Sequence, residues 1–271
     1  MIRIIGLIFL LFVSVIQAQS LEKKPDTEVH IPDTEVREET EIQWRDYEIP
    51  SQFPELQILD RMDAKKNEQN LKKAKEYFDL SIKIIKTARQ EKELVPKQFQ
   101  HYPEQYPWQI HEKEEKIRKK QNEIMAQAYQ KSKIYIIKGL EELEKIQSPK
   151  VIKTDYYIHL KSNLIRHFVL TQLSLNDISG VIPLIEEYFQ LKESHKEEPP
   201  PYKILAYCYQ RLEQASIKSN TSEEVILEYR RNKYKNLLQY VKLKYGSQSP
   251  QYEYIKKQMD RNLIQNLMFL F

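Results

Sequence analysis

ELQILDRMDAKKNEQNLKKAKEYFDLSIKIIKTARQEKELV, residues 55–95, runs for 41 residues without a proline or a glycine. Within it Leu71, Ala74, Phe78, Ile82, Ile85 and Ala88 recur at three- and four-residue spacing, which gathers apolar side chains on one face of an α-helix. At 1.5 Å per residue such a helix reaches about 60 Å. Its first part, Ala64 to Asn70, is nearly all charged or amide, so a break there is one option. Pro96 ends the pattern, because proline has no amide proton to give and its ring crowds the carbonyl four residues back. A second long helix reads from about Pro107 to Gln147. Ile110, Ile117 and Ile124 keep a heptad, but Glu114, Gln121, Lys131 and Lys138 fill the other seam places, too polar for a self-sufficient coiled coil. The spacing therefore predicts two long helices packed antiparallel, partly solvated and partly available to partners.

The connector between them, Phe99-Gln100-His101-Tyr102-Pro103-Glu104-Gln105-Tyr106-Pro107-Trp108, is aromatic, and its two prolines fix an elbow. After Ser148-Pro149 the helices become shorter and more apolar. They are expected at Asp155–Leu175, Asp177–Lys192, Pro200–Lys218, Ser222–Tyr245 and Ser249 to about Met268. Thr154 or Asp155, Asn176 or Asp177, Ser222 and Ser249 stand as N-caps, and Gly246 as a C-terminal cap. Helix pairs beginning at Tyr157 and Tyr202 recur after about 45 residues. The run from Leu173 through Leu191 into Pro201–Tyr209 is similar to a tetratricopeptide-type hairpin passing into the next, although the usual period is shorter and the signature tryptophan and glycine are missing. An irregular helical bundle is the other reading of the same stretch.

Composition supports helices throughout. The chain has four glycines, against the roughly 7% of ordinary proteins, which leaves too few tight turns for a many-stranded sheet or a phosphate-cradling loop. Cys208 is the single cysteine, so no internal disulfide forms. It lies in Leu205-Ala206-Tyr207-Cys208-Tyr209 and reads as a buried, inert thiol. The net charge of +4 conceals an asymmetry: residues 19–55 hold eleven acidic and four basic side chains, a net of −7, while residues 56–271 carry +10. An acidic arm thus precedes a basic body, on which it could dock.

At the start of the chain Arg3 is followed by an apolar run from Ile4 to Ile16 and a small-residue exit at Gln17-Ala18, the pattern of a secretory signal peptide. Its 13 apolar residues fall short of the roughly 20 that span a bilayer, and no later segment is apolar enough, so no membrane span is expected after cleavage. An exported chain meets little nucleic acid, and no nucleic-acid partner is expected. Residues 19–54 hold four prolines and the near-repeat Pro25-Asp26-Thr27-Glu28-Val29 and Pro32-Asp33-Thr34-Glu35-Val36, which describes an extended arm. Trp44, Tyr47 and Phe53 near its end form either a docking motif for a partner or a patch that packs onto the adjacent helix. On this reading, deleting residues 19–53 leaves helicity and melting nearly unchanged but weakens association with partners.

No catalytic residue, cofactor or metal site is expected. His111-Glu112 is followed by Lys113, Glu114 and Glu115, which breaks the two-histidine zinc helix motif. His159, Asn163 and His167 stand at four-residue steps on one helix face, but no carboxylate or cysteine shares that spacing. The abundant Glu and Asp residues sit in solvated charge runs such as Lys113 to Lys120. Partner contacts are assigned to exposed aromatic groups: Trp44, Tyr47 and Phe53 of the arm, Tyr102, Tyr106 and Trp108 of the elbow, and Phe269 and Phe271 of the apolar end Leu267-Met268-Phe269-Leu270-Phe271.

A lysine- and tyrosine-rich, almost wholly helical exported chain, with two long helices, tetratricopeptide-like hairpins and the segment LQYVKLKYGSQSPQY at 238–252, resembles the flagellar-coiling proteins of spirochaetes over residues 55–271. The resemblance implies a periplasmic sheath component that supports filament coiling and motility, with protein partners in a filament or sheath lattice, among them a second coiling protein. It carries over no catalytic residues. The alternative is a periplasmic helical-repeat adaptor that binds one protein segment. The fold class is all-α: two long antiparallel helices followed by a bundle of tetratricopeptide-like hairpins, elongated. The domains read as signal peptide 1–18, acidic arm 19–54, long-helix hairpin 55–148 and helical-repeat-like domain 149–271.

Overall fold

The computed structural model describes residues 44–50 and 61–267. The expected signal peptide, most of the acidic arm, Phe53, Phe269 and Phe271 lie outside the described residues. Among those described there are eight α-helices and no strand: α1 Arg61–Gln98, α2 Pro107–Glu144, α3 Pro149–Ile152, α4 Asp155–Ser174, α5 Val181–Leu191, α6 Pro199–Lys218, α7 Glu223–Tyr245 and α8 Pro250–Leu267. A short 3₁₀ turn, Glu193–Glu197, joins α5 to α6.

The long helix α1 has no break over Ala64–Asn70. Asn67 and Asn70 are buried rather than solvated, so this polar stretch turns one side to the protein interior. Nor does Pro96 stop α1; the helix continues for two more residues. Proline leaves the Lys92 carbonyl without its usual donor, and the Gln121 side chain of α2 supplies one at 3.1 Å. With Tyr77 beside Tyr135 and Lys92 beside Gln121, numbering rises on α1 as it falls on α2, so the pair is antiparallel.

The other main departure lies at the start of α5. Asp177 does not cap it. Its carboxylate accepts from the Ser179 amide at 2.8 Å, closing a local turn, and Gly180 takes the left-handed conformation at φ 73°, so the helix begins at Val181. Thr154 does cap α4, accepting from the Tyr157 amide at 3.3 Å.

The core forms where α1, α2 and α4 meet. Leu71, Ala74 and Phe78 of α1, Ile136 and Leu143 of α2, and Tyr156, Tyr157, Leu160, Leu164 and Phe168 of α4 are buried together, with Ile146 and Val151 at the turn. Each buried Leu or Ile contributes roughly 1.5–3 kcal/mol, so this cluster rather than helix propensity holds the long hairpin to the rest. Gly139 is the point of closest approach. A Cβ placed there would stand 2.9 Å from Leu164 Cδ2 and 3.4 Å from the Ala74 carbonyl oxygen. A Gly139→Val substitution is therefore expected to lower stability by about 1–3 kcal/mol through overpacking, although any side chain improves helix propensity over glycine. Urea denaturation measures it, and a variant as stable as the parent would show that the three helices have room to spare.

Beyond the core, consecutive helices pack on one another from α4 to α8. Between α6 and α7 the buried Glu213 carboxylate accepts from Arg230 Nε at 2.6 Å and Lys233 Nζ at 2.7 Å. Cys208 is wholly buried on α6, and burial pushes its thiol up to about 12, away from thiolate chemistry.

Candidate functional site

Residues 44–50 form an extended strap laid across α4, and α4 is built to hold it. Histidine or asparagine at every fourth residue lines up along one helix face, because four residues make slightly more than one turn. His167 meets the Asp46 carboxylate, with Nε2 at 2.9 and 3.0 Å from its two oxygens. Asn163 donates through Nδ2 to the Tyr47 carbonyl and accepts the Tyr47 amide on Oδ1, both at 2.8 Å. His159 Nδ1 lies 2.8 Å from the Glu48 carbonyl oxygen, and its ring stacks on Tyr47 with centroids 4.9 Å apart. Strap numbers rise as helix numbers fall, so the strap runs antiparallel to α4. An extended strand has no internal hydrogen bonds, and these side chains stand in for a neighbouring strand.

Behind the rail lies a partly buried polar knot. Glu198, the residue just before α6, accepts from Tyr47 OH at 2.6 Å, Trp44 Nε1 at 2.8 Å, Tyr188 OH at 2.7 Å, and Arg166 Nη2 at 2.9 Å to each oxygen. Arg166, 3% exposed, also donates through Nε to Tyr188 OH at 3.0 Å. Its guanidinium sits 4.4 Å from the Tyr47 ring centre and 5.3 Å from those of Trp44 and Tyr188, within cation–π range of all three. Trp44, 7% exposed, closes the top and meets Tyr188 edge to face at 5.1 Å.

Burial alone would raise the Glu198 carboxyl, but the hydroxyls of Tyr47 and Tyr188, the Arg166 charge and the Trp44 indole outweigh it and hold the group below its ordinary value. The start of a helix also favours negative charge. His195 is wholly buried and stacks on Tyr188 at 4.0 Å. Burial, with Arg166 and Lys192 nearby, pulls its imidazole below the usual range. The neutral ring donates through Nδ1 to the Tyr188 carbonyl at 2.8 Å, which fixes the tautomer.

This arrangement binds and orders a peptide. A surface cavity of about 310 Å³ lies beside the strap, lined by Trp44, Tyr47, Arg166, Glu198 and Pro200 among others. No cluster of three or more His, Cys, Asp or Glu residues able to hold a metal occurs among the described residues. No helix among them is long and apolar enough to cross a membrane.

Of the partner-contact residues expected from sequence, Trp44 and Tyr47 come together here, spent on the chain's own body. Both lie against α4, more than 100 residues away, and not against the adjacent helix α1 that the sequence offered as the alternative to a partner. Tyr102, Tyr106 and Trp108 lie apart from them, at the tip of the α1–α2 hairpin. Tyr102 is half-buried, with Lys116 Nζ donating to its hydroxyl at 2.8 Å and lying 4.7 Å over its ring. Tyr106 and Trp108 stack in parallel with centroids 6.2 Å apart, and Trp108 is 62% exposed. Leu94 and Ile110 are also exposed at this end of the hairpin. Sequence reasoning missed Glu198, Arg166, Tyr188 and His195. The four-residue spacing of His159, Asn163 and His167 was the visible signal, and these side chains meet the strap.

Among known families, one described as FcpA matches this chain over residues 18–268. No curated protein matches it.

Proposed function

The chain belongs to the FcpA family, the flagellar coiling proteins of spirochaetes, and on that premise we propose that it is a non-enzymatic structural subunit of the sheath of the periplasmic flagellum, exported through residues 1–18. The observation that carries this reading is the family match, which runs through almost the whole chain and starts where the expected leader ends. In this role the chain helps hold the filament in its coiled form, and motility depends on it. Its contacts are with protein neighbours in the sheath, a second coiling protein among them. The successive packing of α4 to α8 supports the tetratricopeptide-like reading of residues 149–271.

The hairpin tip is the contact surface we assign to those neighbours. Tyr106, Trp108, Leu94 and Ile110 expose apolar area beside one another in sequence or across the elbow, and aromatic groups of this kind dominate protein interfaces. Phe269 and Phe271, by their composition, serve the same end. The adaptor alternative wants an open groove for a foreign segment, whereas the polar face of α4 is already filled by residues 44–50.

Fractionation of cells and isolation of their flagellar filaments test the proposal. The chain is expected in the filament fraction, and cells lacking it are expected to yield uncoiled filaments and swim poorly. Recovery entirely in the soluble periplasm, with filaments unchanged, would favour the adaptor. A Tyr106→Ala/Trp108→Ala chain is expected to keep its melting temperature, since exposed substitutions cost within about 0.5 kcal/mol, yet to leave the filament fraction at least in part. Full retention of this variant would remove the tip from the contact surface.

A further inference from the structure

The seat on α4 has the chemistry of a recognition site for an extended peptide, and nothing in that chemistry ties it to the segment of the same chain. Asn163 reads the backbone of the strap through both hydrogen bonds of Tyr47. Glu198 reads its side chains, taking one hydrogen bond from Trp44 and one from Tyr47, so the seat selects a Trp-x-x-Tyr spacing. These contacts join residues 116 to 154 positions apart in sequence, and a strap arriving from another copy would make the same ones.

Two quantities bear on which copy supplies it. Ten residues, 51–60, join Pro50 to α1, so a strap lies at most about 36 Å from the α1 of its own copy. One strap confined within that distance has a local concentration on the order of millimolar, a value that crowded copies of one protein can match. Charge works in the same direction. Residues 19–55 carry −7 and residues 56–271 carry +10, so the strap-bearing arm of one copy is drawn to the body of the next as it is to its own.

We propose that the Asn163–Arg166–Glu198 seat is a docking site for the Trp44–Pro50 segment of a second copy of this chain, so that neighbouring copies are joined by exchanging straps. The bond between copies is then the bond seen within one, and it repeats from copy to copy without a new surface. The inference goes beyond the sheath reading and does not rest on it, since it needs only concentration.

The test uses full chains carrying one new thiol each, Asp46→Cys in one and His167→Cys in the other; buried Cys208 is the only native thiol. The two are mixed, incubated at about millimolar and at micromolar concentration, and treated with a short bis-maleimide. A chain carrying both substitutions serves as reference. The expected result is a linked pair of the two different chains that is abundant at the higher concentration and scarce at the lower. Adding Tyr47→Ala to the Asp46→Cys chain, which strips the travelling strap of its hydrogen bond to Glu198 while the receiving chain keeps its own strap intact, should reduce that pair about tenfold. The proposal is overturned if the reference chain links only within itself while the mixture yields no mixed pair at millimolar concentration. It is equally overturned if the reference chain does not link at all, because the strap is then not seated. Neither failure bears on whether the chain is found on filaments.

Discussion

Glu198→Ala is expected to lower the stability of the chain by about 3 kcal/mol at neutral pH, the low end of the range for breaking a buried ion pair. The loss comes less from the pair itself than from what remains. Arg166 would stay buried with Tyr188 OH as its remaining hydrogen-bond acceptor, and the Trp44 indole and Tyr47 hydroxyl would lose theirs. The low end applies because the strap can lift and let water reach Arg166. For a domain of this size the loss corresponds to a melting temperature lower by roughly 6–12 °C. Glu198→Gln should cost nearly as much, since its amide group turns N–H donors toward other donors.

The pH dependence of this loss identifies its cause. Glu198 is held below its ordinary value in the folded chain, so its pairing stabilises fully above the unfolded carboxyl value of about 4.3. That contribution fades as pH falls through the depressed folded value. Denaturation of parent and Glu198→Ala at pH 7 and again near pH 3 should therefore show a wide gap that narrows in acid. A gap equally wide at both values would mean that packing, not the carboxylate, is what the substitution removes.

How far the sequence announced all this depends on the range of the interactions. The long helices were legible because their signal is local: the apolar spacing from Leu71 to Ala88 and the absence of helix breakers each act within a few turns. The ends were legible only where one residue decides them, as with Thr154 and Gly246. Asp177 had the right chemistry for a cap, but a glycine three residues on offered a left-handed turn, and the side chain closed that turn instead. Pro96 misled for a different reason: the carbonyl it leaves bare is served from α2, a compensation invisible along one helix. The strap seat was the least legible part. Glu198 looks like one more charge before three prolines, and Arg166 like one more polar residue on an apolar helix. Only the fold brings them within 2.9 Å of each other, together with a tryptophan from the other end of the chain.

Removing the strap should separate two parts of the arm that the sequence treats as one. A chain beginning at Gln43 is expected to melt with the full chain, whereas one beginning at Ser51 should melt about 10 °C lower, because Trp44 and Tyr47 no longer cover Arg166 and Glu198. For residues 44–50 this replaces the expectation that loss of residues 19–53 leaves melting unchanged, because those seven residues are seated on α4. The size of the effect has a ceiling that individual contacts would not suggest. Burying Trp44 stabilises by up to about 3 kcal/mol, and each hydrogen bond adds about 1 kcal/mol. Ordering seven backbone residues, at roughly 1–2 kcal/mol each, offsets most of that sum. What remains is the docking free energy of the strap, and no strap substitution can cost more, since once the strap lifts nothing further is lost. Trp44→Ala and Tyr47→Ala should each approach this ceiling, and the double substitution should barely exceed either. Hydrogen exchange provides a second readout: the amide of Tyr47 should lose its protection in the single variants, while those of Leu160 and Leu164 in the core keep theirs. Additive losses in the double variant, or loss of core protection along with the strap's, would mean that residues 44–50 are integral to the helical body rather than a separable clasp upon it.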